Sequence, residues 1–383
     1  MHAAQDSDTE AEACFLGVSS SYTGKRWLAR QGDSRLALAL AQQLQVPEMV
    51  ARVLAGRGIT LEQADSFLNP SLRESLPDPS EFQDMDKAAE RVAAAVMGGE
   101  TVAIFGDYDV DGATSSALLD RFLRQAGAKP LVYIPDRIAE GYGPNAAALE
   151  KLRAAGAGMV ITVDCGTTAH EPLASAAAKG LDVVVVDHHV AEPSLPTAYA
   201  VVNPNRLDDD CGYGQLAAVG VTFLLCVAVN RLLRQAGWFG EGRREPDLLR
   251  LVDLVALGTV CDVVPLTGVN RVFVAQGLRV MASRANAGIS ALADVARVDE
   301  RLSAYHLGFV LGPRVNAGGR VGRADLGARI LASDDPTQAE QMARELDGYN
   351  VERKALEDAV LQQALAQAEA AQPHGIVAVA GRG

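Results

Sequence analysis

The sequence predicts an α/β fold: a doubly wound, mainly parallel sheet preceded by a helical segment and followed by a long connecting helix. Three observations predict it. Short runs that are apolar throughout recur between residues 101 and 202, as strands covered on both faces require. A helix-length segment follows each of the first three and stops at glycine, and this alternation of strand and helix builds a parallel sheet. The carboxyl ends of those runs carry aspartate and histidine, where parallel sheets place their ligands.

In chain order, residues 1–33 are polar and rich in Ser, Asp and Gly, and read as a disordered tail. Residues 34–98 read as a helical region. Arg35–Leu44 and Met49–Leu54 carry apolar residues at helical spacing, Pro47, Pro70, Pro77 and Pro79 punctuate the segment, and Asp84–Met97 is an amphipathic helix stopped by Gly98-Gly99. A catalytic domain is expected over 99–335. Its strands are Thr101–Phe105, Leu131–Ile134, Met159–Val163, Val183–Val186 and Ala200–Val202, and its intervening helices are Ala113–Ala126, Asn145–Ala155 and His170–Lys179. Helices are expected again at Thr222–Arg234 and Leu248–Leu257. The stretch 336–372 opens on Pro336 and continues as a polar helix, Thr337 to about Ala371, of the kind that spaces domains. After Pro373 the run GIVAVAGRG reads as the first strand of a further, truncated domain.

Composition limits the function. The chain has 383 residues, half of them apolar, enough for two or three units with a sizeable core. Its formal charge of −13 speaks against the basic face of a typical nucleic-acid binder, although metal sites concentrate carboxylates and net charge hides local patches. The cysteines (Cys14, Cys165, Cys211, Cys226 and Cys261) form no C-x-x-C pair, which excludes the usual zinc site and suits reduced thiols. The N-terminus lacks a secretory pattern, and the apolar run Leu216–Val229 is too short to span a bilayer. A cytoplasmic protein without a membrane partner is expected.

The chemistry sits at the strand ends. Strand one runs into Gly106-Asp107-Tyr108-Asp109-Val110-Asp111-Gly112, strand two into Asp136, strand three into Asp164-Cys165-Gly166 and strand four into Asp187-His188-His189. Taken singly, each has a plainer explanation: a D-x-D is commonly a turn or helix cap, Asp136 reads as structural or as a support to the ligands, and a His-His pair is more often hydrogen-bonded than metal-bound. Together they gather carboxylates that repel one another unless a cation sits among them. Carboxylates with imidazole suit Mn²⁺ or Mg²⁺, and so many acids can hold two ions. Such a pair activates water and clamps a phosphate, so the expected chemistry is phosphoester hydrolysis.

These residues resemble a known family. Asp107–Gly112 is similar to the first motif of RecJ nucleases, Val163-Asp164-Cys165-Gly166 to the second, and Asp187-His188-His189 is the triplet that names DHH phosphoesterases. Leu257–Leu266, which contains Asp262, resembles the fourth motif, and Gly312–Arg320, read from its residues as a Gly-rich turn flanked by Arg314 and Arg320, resembles the arginine-containing segment. Arg137–Asn145 has a RecJ look as well.

The resemblance implies metal ligands at Asp107, Asp109, Asp111, Asp164, His188 and Asp262. It implies catalytic roles for Asp164, Asp187, His188, His189 and Arg320, with Asp164 shared between ions and His189 on the scissile phosphate. For substrate binding it implies Arg137, Tyr142, Asn145, Arg314, Asn316, Gly319 and Arg320. Phe105 stands where many relatives have a histidine ligand. The implied function is a single-strand DNA exonuclease of 5′-to-3′ polarity in repair and recombination. The implied partners are single-stranded DNA, a single-strand-binding protein and a helicase, and the implied state is a monomer. Two alternatives are a phosphoesterase for pyrophosphate, oligonucleotides or cyclic dinucleotides, and a non-catalytic replication scaffold. RecJ proteins usually continue past the long helix into DNA-binding domains, so weakened grip and processivity are expected of this chain.

Overall fold

The structure, a computed structural model, describes residues 14–28, 33–240 and 242–370. The chain divides into two compact units at Pro70.

The first unit contains α1 (Ser34–Leu44), α2 (Glu48–Gly56) and α3 (Leu61–Leu68). Asp33 opens α1 by accepting from the Arg35 amide, and Thr60 opens α3 in a reciprocal capping box with Gln63. Their apolar faces close a small core that includes Leu40, Ala51, Leu54 and Ala64. Part of the expected tail is formed structure: a 3₁₀ turn at Phe15–Gly17 and an antiparallel bridge between Cys14 and Leu28. The Phe15 amide donates to the Trp27 carbonyl (2.9 Å), and the Ser21 amide closes the turn on Lys25 (2.9 Å). The polarity of this stretch is turn chemistry. Residues 1–13 lie outside the described residues.

The second unit begins with α4 (Leu72–Ser75) and α5 (Met85–Gly98). Next come β1 (Val102–Gly106), α6 (Val110–Gln125), β2 (Leu131–Tyr133), α7 (Ala146–Ala154), β3 (Met159–Val163), α8 (His170–Ala178), β4 (Asp182–Val186) and β5 (Ala200–Val202). The remainder is helical: α9 (Ala218–Gln235), α10 (Val252–Cys261), α11 (Gly268–Met281), α12 (Ala287–Val295), α13 (Ala304–His306), a π turn (Leu307–Leu311), α14 (Gly312–Val321), α15 (Leu326–Ala332) and α16 (Pro336–Ala370). The sheet is parallel throughout, in the order β2-β1-β3-β4-β5, the doubly wound architecture expected.

Strand residues alternate between two apolar layers, as the period of two demands. Ile104, Ile161, Val184 and Val202 face the larger core with α5, α6 and α9, whereas Ala103, Phe105, Val160 and Val185 face α7 and α8. α5 therefore belongs to the same unit as the sheet, and the boundary between compact units lies near 70 where 98/99 was expected. α9 is long and apolar enough to cross a membrane, but it is largely buried inside the unit.

The carboxyl half departs from expectation as well. Leu248–Leu257 divides into a 3₁₀ turn (Leu248–Leu251) and α10. The Gly-rich turn expected around Arg314–Arg320 is helix α14. Glycine inside these helices marks close packing: a Cβ on Gly277 of α11 would collide with the Ala256 Cβ and stand 2.5 Å from the Val252 carbonyl oxygen of α10. The long helix is a spacer only in part. Ala339, Ala343 and Leu346 are buried in the core, while Val351, Leu356, Val360, Leu361 and Leu365 are exposed. The expected strand at 373–383 lies outside the described residues.

Because α10 delivers Asp262 to the site, its packing on α11 is testable. Gly277→Val is expected to lower stability by about 3 kcal/mol through overpacking, read as the urea midpoint. An unchanged midpoint contradicts this packing.

Candidate metal centre

Register brings the acids together. β1 and β3 pair up to Gly106 opposite Val163, and β3 and β4 up to Val163 opposite Val186. The next residues, Asp107, Asp164 and Asp187, thus emerge side by side, at the point where the strand order reverses. Backbone bonds carry the ladder past the strands: the Asp164 amide donates to Val186 (3.0 Å) and the Asp187 amide to Val202 (3.0 Å).

Each acid is fixed differently. Asp107 is buried, accepts from the Tyr108 amide (2.8 Å), and is pushed up to about 7 by burial and then by Asp109. Asp109 caps α6 through the Gly112 amide (2.9 Å). Asp111 accepts from the Ala218 and Val219 amides (2.6 and 2.9 Å) at the start of α9. Burial, then Asp262 and Asp109, hold its carboxyl far above the ordinary range despite those bonds. Asp262 follows α10 and is raised to about 6 by burial and Asp109.

Asp164 stands at the centre. It is 1% exposed, and both carboxylate oxygens are buried without a hydrogen-bond partner. Its φ of +61° is a left-handed conformation that Asp tolerates better than most residues. Burial and repulsion from Asp111, Asp109 and Asp187 raise its carboxyl strongly.

The two histidines differ in role. His188 Nδ1 lies 3.0 Å from the Leu216 carbonyl oxygen, which only accepts, so Nδ1 carries the proton. That leaves the Nε2 lone pair facing Asp164 Oδ1 (3.4 Å) and Asp111 Oδ2 (3.8 Å). Burial holds its pKa down, which favours the neutral ring that a metal ligand requires. His189 Nδ1 contacts Asp187 Oδ1 at 2.7 Å, and that carboxylate raises the His189 pKa.

Among the described residues, three groups place donor atoms within 4.8 Å of one another: Asp164–His188–His189, Asp111–His188–Asp262 and Asp107–Asp109–Asp164. All six expected metal ligands thus converge, and Asp164 and His188 each join two groups. An unpartnered carboxylate amid repelling acids is the arrangement a divalent cation resolves, and the oxygen-rich, imidazole-containing donor set fits Mn²⁺ or Mg²⁺.

Other expected site residues separate. Asp187 is turned to support: it accepts from the His188, His189 and Thr167 amides and is held down to about 2, so it positions His189. Asn145 caps α7 through the Ala148 amide (2.8 Å). Arg314 binds Asp347 (2.9 Å) and the Val310 carbonyl (2.7 Å), tying α14 to α16 and occupying the guanidinium expected on substrate.

Arg137 lies over the Tyr108 ring (5.2 Å), and the exposed Arg320 lies close enough to act on the Tyr108 hydroxyl. Gly319 packs on the Tyr108 carbonyl, where a Cβ would come within 2.9 Å. The Tyr142 hydroxyl reaches the Asp164 carbonyl (3.3 Å), with its ring edge-on to His189. Asn316 is half-buried on α14. Asp136 accepts from the Ile138 and Ala139 amides (2.9 Å each), a turn role. Phe105 is fully buried and stacks on Tyr133 in the α7–α8 layer.

Two supporting residues escaped the sequence reading. Buried Asn203 donates to the His189 carbonyl and Thr167 (2.8 Å each), and Asn205 donates to the His188 carbonyl. Both follow β5, so the strand-end rule that found the aspartates would have found them.

The sequence and the fold are similar to those of known proteins. The DHH family, N-terminal domain model matches residues 101–259. A solved exonuclease RecJ bound to manganese is 34% identical, with a TM-score of 0.67, over 75% of this chain and 70% of that one. This chain belongs to the RecJ family of DHH proteins. RecJ from Thermus thermophilus in complex with Mn²⁺ is 32% identical at a TM-score of 0.72, covering 87% of this chain and 46% of that chain. The single-stranded-DNA-specific exonuclease RecJ of Escherichia coli is 39% identical over 329 residues, 85% of this chain and 56% of the relative. The chain thus spans about half the length of the curated RecJ relatives it matches.

Protons and cation should compete for this RecJ-type cluster. Asp107 and Asp262 hold protons to about 7 and about 6 when folded, against an ordinary 3.8. The stability this gives is complete below about pH 4 and lost as pH rises through 6 to 7. The cation-free Tm is therefore expected to fall between pH 5 and 8, and a divalent cation to raise Tm more at pH 8 than at pH 5. Scanning fluorimetry with and without EDTA reads both, and a pH-independent gain contradicts the cluster. Asp164→Asn is expected to raise the cation-free Tm and to abolish most of the cation-induced gain.

Proposed function

We propose that this chain is a metal-dependent exonuclease that hydrolyses phosphodiester bonds of single-stranded DNA from one end. We propose 5′-to-3′ polarity and release of mononucleotides, in DNA repair and recombination. The observation that carries this reading is Asp164, whose two buried, unpartnered oxygens lie within a ring of five further candidate ligands. The cations are Mn²⁺ or Mg²⁺, held by Asp107, Asp109, Asp111, Asp164, His188 and Asp262. Bound there, they supply Lewis acidity towards phosphoryl oxygens and lower the pKa of ligated water.

The chain's own residues do the rest. Leu216 fixes the His188 tautomer so that Nε2 is available as a ligand. Asp187 holds His189 by Nδ1 and favours its protonated form, which leaves Nε2–H to donate to a phosphoryl oxygen. Arg137, over the Tyr108 ring, and Arg320, near enough to act on the same side chain, offer positive charge to the backbone phosphates of a strand even though the chain as a whole is acidic. With this substrate go the partners the resemblance implies, a single-strand-binding protein and a helicase, together with a cytoplasmic location and a monomeric state.

The test offers the chain Mn²⁺ with a 5′-labelled single strand, a duplex, pyrophosphate and a cyclic dinucleotide in parallel. Degradation of the single strand alone, stopped by EDTA, is expected. Turnover of pyrophosphate or the cyclic dinucleotide with the strand left intact overturns the reading. Asp164→Asn is expected to remove activity, and His189→Ala to lower kcat by about 10²–10³-fold with the fold intact by circular dichroism. Arg314→Ala is expected to lower Tm while kcat holds.

A further inference from the structure

The stretch 214–219, which leads into α9, commits its backbone to the metal centre almost group by group. The Gly214 carbonyl accepts from the Asn205 carboxamide (3.0 Å), whose nitrogen also serves the His188 carbonyl. The Leu216 carbonyl accepts from His188 Nδ1 (3.0 Å). The Ala218 and Val219 amides donate to Asp111 (2.6 and 2.9 Å). The Gln215 carbonyl, between them, goes to a residue of another layer, Asn270.

Asn270 lies in the first turn of α11 and is fully buried. Its Nδ2 donates to the Gln215 carbonyl (2.7 Å) and to the Pro265 carbonyl (3.1 Å). Both partners are carbonyls, which only accept, so the carboxamide nitrogen must be the atom that faces them. Its Oδ1 is buried without a partner. A buried orphan oxygen is a cost to the fold, and such an atom in a native protein calls for a reason. Pro265 stands three residues after Asp262, in a loop that leaves α10 through Val263. Val263 takes a left-handed φ of +62°, a strained conformation for a β-branched residue. One side chain thus ties the stretch that serves Asp111 and His188 to the strained loop that carries Asp262. Those three residues form one of the groups whose donor atoms lie within 4.8 Å.

We propose that Asn270 is a positioning residue of the metal centre, which clamps the two loops so that Asp111, His188 and Asp262 close on one cation. This inference rests on the metal-centre reading above. Asp111 and Asp262 repel each other, so without a cation their loops tend to part. A cation tolerates its ligands only within about 0.2 Å of their preferred distances, so a small drift of either loop weakens binding. The clamp reaches the ligands through backbone alone. Gln215 directly precedes Leu216, so a free Gln215 carbonyl loosens the Leu216 carbonyl that fixes the His188 tautomer.

The experiment uses the full chain and compares Asn270→Ala, Asn270→Asp and Met281→Ala with wild type. Mn²⁺ affinity is read from the free-ion electron paramagnetic resonance signal, and the His188 tautomer from ¹⁵N spectra of the metal-free, histidine-labelled chain. Asn270→Ala is expected to weaken Mn²⁺ binding about 10–100-fold and to mix the His188 tautomers. Asn270→Asp, which keeps the shape and removes both donors, is expected to do the same, and either variant carries the test should the other fail to fold. Met281 is buried at the far end of α11, roughly 16 Å along the helix from Asn270. Met281→Ala is expected to lower Tm while affinity and tautomer hold. Wild-type affinity and a single tautomer in the Asn270 variants overturn the clamp. So does equal weakening by Met281→Ala, which makes the loss a matter of stability alone. Failure of the wild type to bind Mn²⁺ defeats the metal-centre reading itself, and is thereby told apart from failure of the clamp.

Discussion

Like charge held out of water is the constraint on which this structure turns. Two carboxylates about 4 Å apart near a protein surface repel by about 4 kcal/mol, and burial adds a desolvation cost to each. Asp107, Asp111, Asp164 and Asp262 all hold their protons above the ordinary carboxylate range for these two reasons. Asp187, equally buried, goes the other way because His189 and backbone amides serve it. The difference between them is the presence or absence of a positive or hydrogen-bonding partner. It separates the acids that await a cation from the acid that orients a side chain.

The fold supports this tension through backbone geometry. Equal strand register sets three aspartates abreast at the reversal of strand order. The start of α9 takes the buried Asp111 carboxylate onto two amides, a helix N-terminus serving an anion. α10 brings in Asp262 from a separate layer, and α14 spans the two sides of the centre through glycine contacts at Cys261 and Tyr108. Each element that reaches the site is anchored in the larger core, so the acids cannot relax apart without losing packing.

Much of this was legible in the sequence, and physics explains where it stopped being so. Strands β1, β3 and β4 are almost wholly apolar, and the helices after β1 and β3 stop at glycine, so the sheet and its acidic edge could be read directly. Asp262 has no such signal, because it follows a helix and reaches the site only through tertiary packing. Resemblance alone pointed to it. α14 was hidden because its glycines imitate a turn, when they are contact points for Cys261, Arg323 and Tyr108. Arg314 and Asn145 read as substrate binders because side-chain chemistry does not reveal a prior partner: Asp347 holds one and the α7 amide end holds the other. Asn203 and Asn205 followed the rule that found the aspartates, but drew no notice because amides carry no charge to concentrate.

The most direct test of the central claim is anomalous X-ray diffraction from crystals of the chain soaked in Mn²⁺. The account predicts strong anomalous density among Asp164, His188, Asp111 and Asp262, extending to the Asp107–Asp109 side, and its loss in Asp164→Asn crystals. Density elsewhere on the surface, with this cluster empty at millimolar Mn²⁺, would contradict it.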